Sequence, residues 1–282
     1  MITYFGTGLL GSGFVRKMLE RGETVHVWNR TFEKAQALEA DGAKAFRDPA
    51  EAARGAAQIH LTLSDDAAVD GVLEPLAGVI GAETVIADHT TTAPTPTGER
   101  VKRWTGRGRT FVHAPVFMGP KNARDGTGLM LLSGDPAVRA RVKPLLEPMT
   151  GKVLELGDDP TRGAAFKLLG NMMLLVLTGG LADFFAFARA LGITPAQAYG
   201  LFGEFNPGNM LQGRGKQMSE GVYSPASFEL SMARKDLRLM VEEAARHRAT
   251  LDVLPAVGTL FDRYIAAGHG SEDAGVVGSG DA

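Results

Sequence analysis

No cysteine occurs in the 282 residues of the chain. Disulfides, thiolate nucleophiles and cysteine-ligated metals are excluded on that ground alone. An excess of charge of one sign is also missing. Thirty Lys and Arg stand against 32 Asp and Glu, a formal net charge of -2. Nothing in that balance invites nucleic acid, and no basic stripe is present. The six histidines (His26, His60, His89, His113, His247, His269) show no metal-ligand spacing, so no metal is expected. A long hydrophobic run is lacking too. The most apolar stretch, Met172 to Ala182, is interrupted by Thr178-Gly179-Gly180 and ended by Asp183. It reads as too short to span a bilayer and as a buried helix, so no membrane partner is expected. Hydrophobic residues at 44% and charged residues at 22% fit a globular chain of one large or two ordinary domains. Strand pattern begins at residue 2, so no secretory signal is expected before it, and the expected location is cytoplasmic.

What is present starts with Ile2-Thr3-Tyr4-Phe5 running into Gly6-Thr7-Gly8-Leu9-Leu10-Gly11. A helical stripe of Phe14, Val15 and Met18 follows, then a second strand, Thr24 to Trp28. G-x-G-x-x-G between strand and helix is the dinucleotide-binding fingerprint. Gly6 permits the tight turn, Gly8 lets backbone approach a pyrophosphate, and Gly11 lets the helix sit close to the strand. The helix N-terminus offers free N–H groups to phosphate. A glycine-rich turn in another α/β protein is the plainer reading, but the second strand falls where a βαβ unit needs it.

The end of that second strand lacks an acid. An NAD site usually places Asp or Glu there for the ribose hydroxyl. Here the residues are Asn29-Arg30-Thr31. Arg30 can meet a 2′-phosphate with its planar fork, and Thr31 is placed to N-cap a helix starting at Phe32. NADP(H) is therefore expected over NAD(H); the plainer reading leaves Arg30 a solvated loop residue.

Strand and helix patterns alternate to about Leu156. Strands are predicted at Gln58 to Leu63, Thr84 to Asp88, Thr110 to Val116, Leu129 to Ser133 and Lys152 to Leu156. Helices are predicted at Phe32 to Ala40 and Asp66 to Leu76. Such alternation predicts a Rossmann-type, doubly wound parallel sheet. Only helical patterns follow: Thr161 to Leu191, Pro195 to Phe205, Pro225 to His247 and Leu254 to Ala267. The expected organisation is an α/β domain over 1–158, an all-α domain over 159–268 that opens on a long interdomain helix, and a disordered tail over 269–282 rich in Gly, Ser, Asp and Ala. No internal repeat is evident.

The helical half contains Lys167 and Asn171, four residues apart and so on one helix face. Phe166, Leu168, Leu169 and Met172 surround them. A Lys in apolar surroundings either faces a polar cleft, where a lowered pKa suits it to proton transfer, or snorkels to the surface.

Five motifs in order resemble the β-hydroxyacid dehydrogenase family, which includes 3-hydroxyisobutyrate dehydrogenases and glyoxylate/succinic semialdehyde reductases. They are Gly6 to Gly11 with Asn29-Arg30-Thr31; Asp88-His89-Thr90-Thr91-Thr92-Ala93-Pro94, similar to a D-x-S-T-x-x-P loop; Ala114-Pro115-Val116 with Gly119, Ala123, Gly126 and Thr127; Lys167 with Asn171; and Lys235-Asp236. The resemblance reaches to about Ala267. It implies hydride transfer between NADP(H) and a hydroxy acid or carbonyl compound, with Lys167 exchanging the proton and Asn171 at the substrate or steadying the Lys. It implies that Leu63, Ser64 and Thr91 lie at the cofactor with the glycine loop, including Leu9 and Leu10. It implies that Phe117, Met118, Gly119 and Asn171 meet the substrate, and that Lys235 meets cofactor or substrate. It also implies a homodimer or homotetramer built through the helical domain.

The chain departs from that pattern where substrate binds. Phe117-Met118-Gly119 stands where the family reads Ser-Gly-Gly, replacing a small hydroxyl-bearing cradle with two large apolar side chains. Ser64 replaces a Pro, His113 an Asp, and Gly170 one Asn of the Lys-x-x-Asn-Asn run. His113 is expected to be structural, since Lys167 already fills the proton-transfer role. Two other readings stay open: an imine reductase of the same plan, a class that often carries Asp or Tyr in place of Lys167, and a non-catalytic dinucleotide-binding module.

Overall fold

Successive side chains of β1 (Ile2–Phe5) go to opposite faces of a sheet. Ile2 and Tyr4 join one buried apolar cluster and Phe5 joins another. Both faces are thus covered, as a parallel sheet requires. The computed structural model describes all residues, Met1–Ala282.

After β1 come α1 (Leu9–Glu20), β2 (Val25–Trp28), α2 (Phe32–Gln36), β3 (Lys44–Phe46), α3 (Pro49–Ala53), β4 (Gln58–Leu61), α4 (Asp66–Leu73), β5 (Val85–Asp88), α5 (Pro94–Gly106) and β6 (Thr110–His113). The six strands form one sheet in the order β3-β2-β1-β4-β5-β6, every neighbour pair parallel. The order in which strands are added reverses between β1 and β4, the switch point where such sheets bind ligands. Phe14, Val15 and Met18 of α1 fill one face with Val27 and Val112. Val69, Leu73 and Trp104 fill the other with Ile59, Leu61 and Ile86. Helix starts follow local chemistry: α3 opens on Pro49 behind Asp48, whose carboxylate accepts the Ala50 N–H, and α4 opens behind Asp65, which accepts from Ala68 N–H.

The single strand predicted over Thr110 to Val116 is instead two. Pro115 cannot donate to a ladder. The chain leaves the main sheet after His113 and re-forms as β7 (Val116–Phe117). Then come α6 (Pro120–Asp125), β8 (Leu129–Leu132), α7 (Pro136–Leu146) and β9 (Lys152–Glu155). β7, β8 and β9 make a separate three-stranded sheet, with β7 antiparallel to β8 and β8 parallel to β9. α6 lies against α1, where a Cβ on Gly13 would come within 2.9 Å of Pro120 O and 3.0 Å of Ala123 Cβ.

The rest is helical: α8 (Arg162–Ala190), α9 (Pro195–Glu204), α10 (Asn209–Glu220), α11 (Leu230–Arg246) and α12 (Leu254–Ala266). The chain divides into two compact units, Met1–Met172 and Met173–Ala282, so the division falls inside α8 rather than at residue 158. In the second unit Asp183 is buried and accepts the N–H groups of Asp252, Val253 and Leu254 at 2.8 to 2.9 Å, which caps the start of α12.

Two expectations are corrected here. Residues 269–282 are not a disordered tail. Asp273 is fully buried and accepts from Ser227 N, Ser227 Oγ, Phe228 N and Gly275 N, while Ala274 and Val276 join a cluster with Leu230 and Tyr264. Burial alone would raise the Asp273 pKa, but these donors outweigh it and hold the carboxyl down at about 2. Composition suggested disorder because it does not show that one aspartate gathers four donors. The apolar run in α8 is likewise neither short nor buried. Gly and Thr do not interrupt the helix, which runs 29 residues with a window of mean hydropathy 1.6, long and apolar enough to cross a membrane. Only 6% of that window is buried, and Leu174 and Leu175 are 57% and 72% exposed.

Candidate active site

Three strand ends, those of β1, β2 and β4, surround a cleft of about 540 Å³. Its floor is the glycine loop. Gly6 has φ of 92°, and a Cβ there would lie 2.1 Å from Thr62 O. A Cβ on Gly11 would lie 2.0 Å from Gly6 O. Neither position admits a side chain, whereas the space beside Gly8 is open to 4 Å. Gly8 also starts α1 without a side-chain cap, leaving the first-turn N–H groups to a ligand. Leu9 and Leu10 line the same cleft, Leu9 being largely exposed.

Asn29 serves as a clamp. Its Oδ1 accepts Thr7 N–H at 3.1 Å and its Nδ2 donates to Thr31 O at 2.9 Å, which ties the loop to the end of β2. Thr31 stands at the N-cap of α2, but its hydroxyl makes no capping bond. Arg30 is exposed at the cleft wall, and Lys34 joins it one turn into α2. No Asp or Glu lines the cleft. Sequence reading missed Lys34, although its place three residues after Thr31 turns it toward Arg30. The residues therefore suit a dinucleotide: a cradle closed to side chains, open N–H groups and an acid-free, doubly basic wall.

The third wall is Thr62-Leu63-Ser64. Leu63 N–H donates to Thr90 Oγ1 at 3.0 Å, joining this wall to the loop after β5. In that loop Thr90 N–H donates to Asp88 Oδ1, Thr92 Oγ1 sits 2.8 Å from Thr97 Oγ1, and Ala93 N–H donates to Asp66 Oδ2. Thr90 and Thr92 are thus consumed inside, and Thr91 is left exposed.

Beneath this loop lies a buried polar layer that spacing along the chain did not reveal. His113 Nε2 donates to Thr90 O at 2.9 Å. His89 Nδ1 donates to Ala114 O at 2.7 Å, so its Nε2 accepts from His60 Nδ1 at 3.0 Å. Burial pushes the pKa of His89 and of His113 down to about 4, and that of His60 well down. All three are neutral at pH 7. The placement of His113 suits it to holding the loop. Asp88 is buried beside Arg100 (Oδ2 to Nη1 3.9 Å), and burial pushes its carboxyl up to about 6 despite that charge. Arg100 in turn is bound by Asp70 and Asp66 of α4 at 2.7 and 2.9 Å.

Lys167 and Asn171 are half-buried on the first turns of α8. The start of α8 is seated on the strand ends, with Gly163 N–H donating to Ser133 Oγ at 3.0 Å and a Cβ at Gly163 placed 3.4 Å from Pro115 Cδ, an ordinary van der Waals contact. Lys167 Nζ lies 4.4 Å from the centroid of the Phe117 ring. Burial lowers its pKa, and no carboxylate offsets the effect. Met118 is placed differently from Phe117. Its side chain turns onto Gly128 and packs with the sheet cluster. Gly119 N–H is occupied, donating to Asn122 Oδ1 at 2.9 Å. Lys235 belongs to the second unit, on α11, where it is exposed and paired with Asp236 at 2.7 Å.

Two family models match the chain. One, described as the NAD binding domain of 6-phosphogluconate dehydrogenase, spans residues 1–157. The other, described as NAD-binding of NADP-dependent 3-hydroxyisobutyrate dehydrogenase, spans residues 161–277. Glyoxylate/succinic semialdehyde reductase 1 of Arabidopsis thaliana is 28% identical over 285 residues, 96% of this chain and 95% of its own. The 3-sulfolactaldehyde reductase of Escherichia coli is 26% identical over 277 residues, 96% and 92% of the two chains. Among solved structures, an imine reductase from Myxococcus stipitatus in complex with NADP+ aligns with a TM-score of 0.92 over 98% of both chains at 18% identity, a likeness of fold.

Proposed function

The chain belongs to the β-hydroxyacid dehydrogenase family and is an NAD(P)-dependent oxidoreductase, and from that premise we propose that it transfers hydride between NADP(H) and a carbonyl or hydroxy-acid substrate, with Lys167 exchanging the proton. The observation that carries the reading is Lys167 itself: half-buried, without a carboxylate partner, one helical turn from Asn171, on a helix seated against the strand ends of the dinucleotide unit. When bound, the nicotinamide supplies or accepts the hydride. In reduction the Lys167 ammonium donates its proton to the carbonyl oxygen as negative charge develops there. In oxidation the neutral amine takes the hydroxyl proton. Asn171 bonds the substrate or steadies the Lys, and Thr91, exposed at its loop, is offered to the cofactor ribose. The family resemblance also offers Lys235 to the substrate or cofactor.

The choice of NADP(H) rests on the acid-free wall with Arg30 and Lys34. NADPH is expected to bind more tightly than NADH by about tenfold or more, about 1.4 kcal/mol. Cofactor titration by fluorescence on Arg30→Ala tests this. The variant is expected to lose far more affinity for NADPH than for NADH; equal losses would mean that Arg30 makes no 2′-phosphate contact.

The exposed apolar face of α8 supports a homodimer or homotetramer, and a cytoplasmic location is proposed alongside it. Asp183 lies inside this helix with its carboxylate spent on α12, and Lys167 lies near its start, which argues for a protein partner over lipid. Analytical ultracentrifugation at micromolar concentration is expected to find the oligomer, and a monomer would contradict it. A second reading, imine reduction, is favoured by one feature, the apolar Phe117 wall beside Lys167.

A further inference from the structure

Phe117 and Gly170 fit together as one part. Phe117 ends β7, paired with Leu129 of β8, and its ring reaches α8. A Cβ on Gly170 would lie 2.3 Å from Phe117 Cζ and 2.6 Å from Cε1. The ring fills the volume that any side chain at 170 would need. Glycine is a poor residue for a helix interior, and the ring accounts for its presence here. The two departures from the family pattern, Phe for Ser at 117 and Gly for Asn at 170, are therefore one change: a small polar residue on the loop with a large one on the helix has become the reverse.

This exchange has two consequences within the unit. The face of the ring lies toward Lys167 Nζ at 4.4 Å, where the ring quadrupole attracts an ammonium and fixes its direction. Side-chain donors for an anion on this loop are fewer at the same time. Phe117 has no side-chain donor, Met118 is turned onto Gly128, and Gly119 N–H is spent on Asn122. Lys167 is the cation held against the ring. A substrate carboxylate drawn into this corner would compete with the carbonyl oxygen for the ammonium that must protonate it.

We propose that Phe117, seated on Gly170, determines substrate class in this enzyme: it positions the Lys167 ammonium and walls off the carboxylate position, so that the substrate is an aldehyde or ketone with uncharged, apolar flanks. The proposal rests on the reading of Lys167 as the proton donor. The reaction remains a balanced reduction, hydride to carbon and proton to oxygen, with NADPH oxidised.

Four proteins test it: wild type, Phe117→Ser, Gly170→Ala and the double variant. Steady-state kinetics would use butanal and succinic semialdehyde, which have equal carbon chains and differ in the terminal carboxylate. Wild type is expected to prefer butanal. Phe117→Ser is expected to move the ratio of kcat/KM toward succinic semialdehyde by about tenfold or more, mainly through KM. The second readout needs no turnover. Alanine is the better helix former, yet Gly170→Ala is expected to lower the thermal midpoint in the parent chain because it displaces the ring. In the Phe117→Ser background the same substitution is expected to raise it. NADPH affinity, titrated by fluorescence, serves as the control for an intact dinucleotide site in all four. Additive effects on the midpoint, or an unchanged substrate ratio, would overturn the proposal. Wild type that reduces neither aldehyde nor any other carbonyl compound with NADPH would instead remove the reading beneath it.

Discussion

Lys167→Ala is expected to lower turnover by about 10²- to 10⁴-fold, the range for removing a positioned proton donor, while NADPH affinity stays near wild type. The residue stands on α8 beside Phe117, and the phosphate-binding groups stand at the β1 and β2 ends. The variant thus removes charge where oxygen becomes an alkoxide and leaves the dinucleotide cradle unchanged. The pH profile carries a second mark of the same group. Burial lowers the Lys167 pKa below the ordinary lysine value. Reduction needs the ammonium, so reductive turnover is expected to fall as pH rises through that lowered pKa. Oxidation needs the amine, so oxidative turnover is expected to rise over the same interval. Both limbs are expected to vanish from the residual activity of the variant. A variant that keeps most of its activity, or keeps the limbs, would take the proton transfer away from Lys167.

Arg100→Leu is expected to cost about 3–5 kcal/mol of folding stability, the usual penalty for leaving a buried charge without its partner. Arg100 is fully buried and joins Asp66 and Asp70 of α4 to Asp88 at the end of β5. Removing it strands Asp88, whose carboxyl already sits at about 6 because of burial. A raised carboxyl pKa means that the folded state holds its proton where the unfolded chain has lost it. The Arg100 charge lowers the Asp88 pKa, so in the variant Asp88 titrates above about 6; the penalty is largest above that raised value, is relieved as pH falls from there to about 6, and is level below it, where Asp88 is protonated in both proteins. His89 and His113 act in the other direction in both proteins, because their depressed pKa values remove stability as pH falls below their ordinary value of 6.5. Urea denaturation of variant and wild type at several pH values isolates the Asp88 contribution as the difference between them. A pH-independent difference, or one below about 1 kcal/mol, would show that Arg100 does not serve as the counter-charge.

The parts of this molecule that were legible in its sequence are those whose cause is local. The turn at Gly6 to Gly11 is dictated by a strand on one side and a helix on the other, and the structure places the loop as spacing predicted. The alternation of strands and helices to β6 was legible because each buried strand reads as an apolar run. Three-residue β3, Lys44-Ala45-Phe46, was missed; an edge strand so short has no periodicity to read. α10 was missed because its sequence carries two glycines and none of its residues is buried, so no apolar stripe marks it. The second sheet was invisible for a different reason: Pro115 announces a break but not the partner that β7 finds next. The shared helix face of Lys167 and Asn171 was legible from their four-residue spacing, while their roles came only with the family resemblance. The seat of Phe117 on Gly170, the burial of His60 and His89 against each other, and the withdrawal of Met118 onto Gly128 depend on residues far apart in the chain. No spacing rule reports such contacts.

The central claim is that this chain reduces a carbonyl group with NADPH. It is tested most directly by following loss of NADPH absorbance for the purified wild-type protein against aldehydes, ketones, keto acids and cyclic imines under one set of conditions. Turnover of carbonyl compounds is expected, faster with NADPH than with NADH and severely reduced by Lys167→Ala. Turnover confined to cyclic imines, or none with any compound while NADPH still binds, would contradict it.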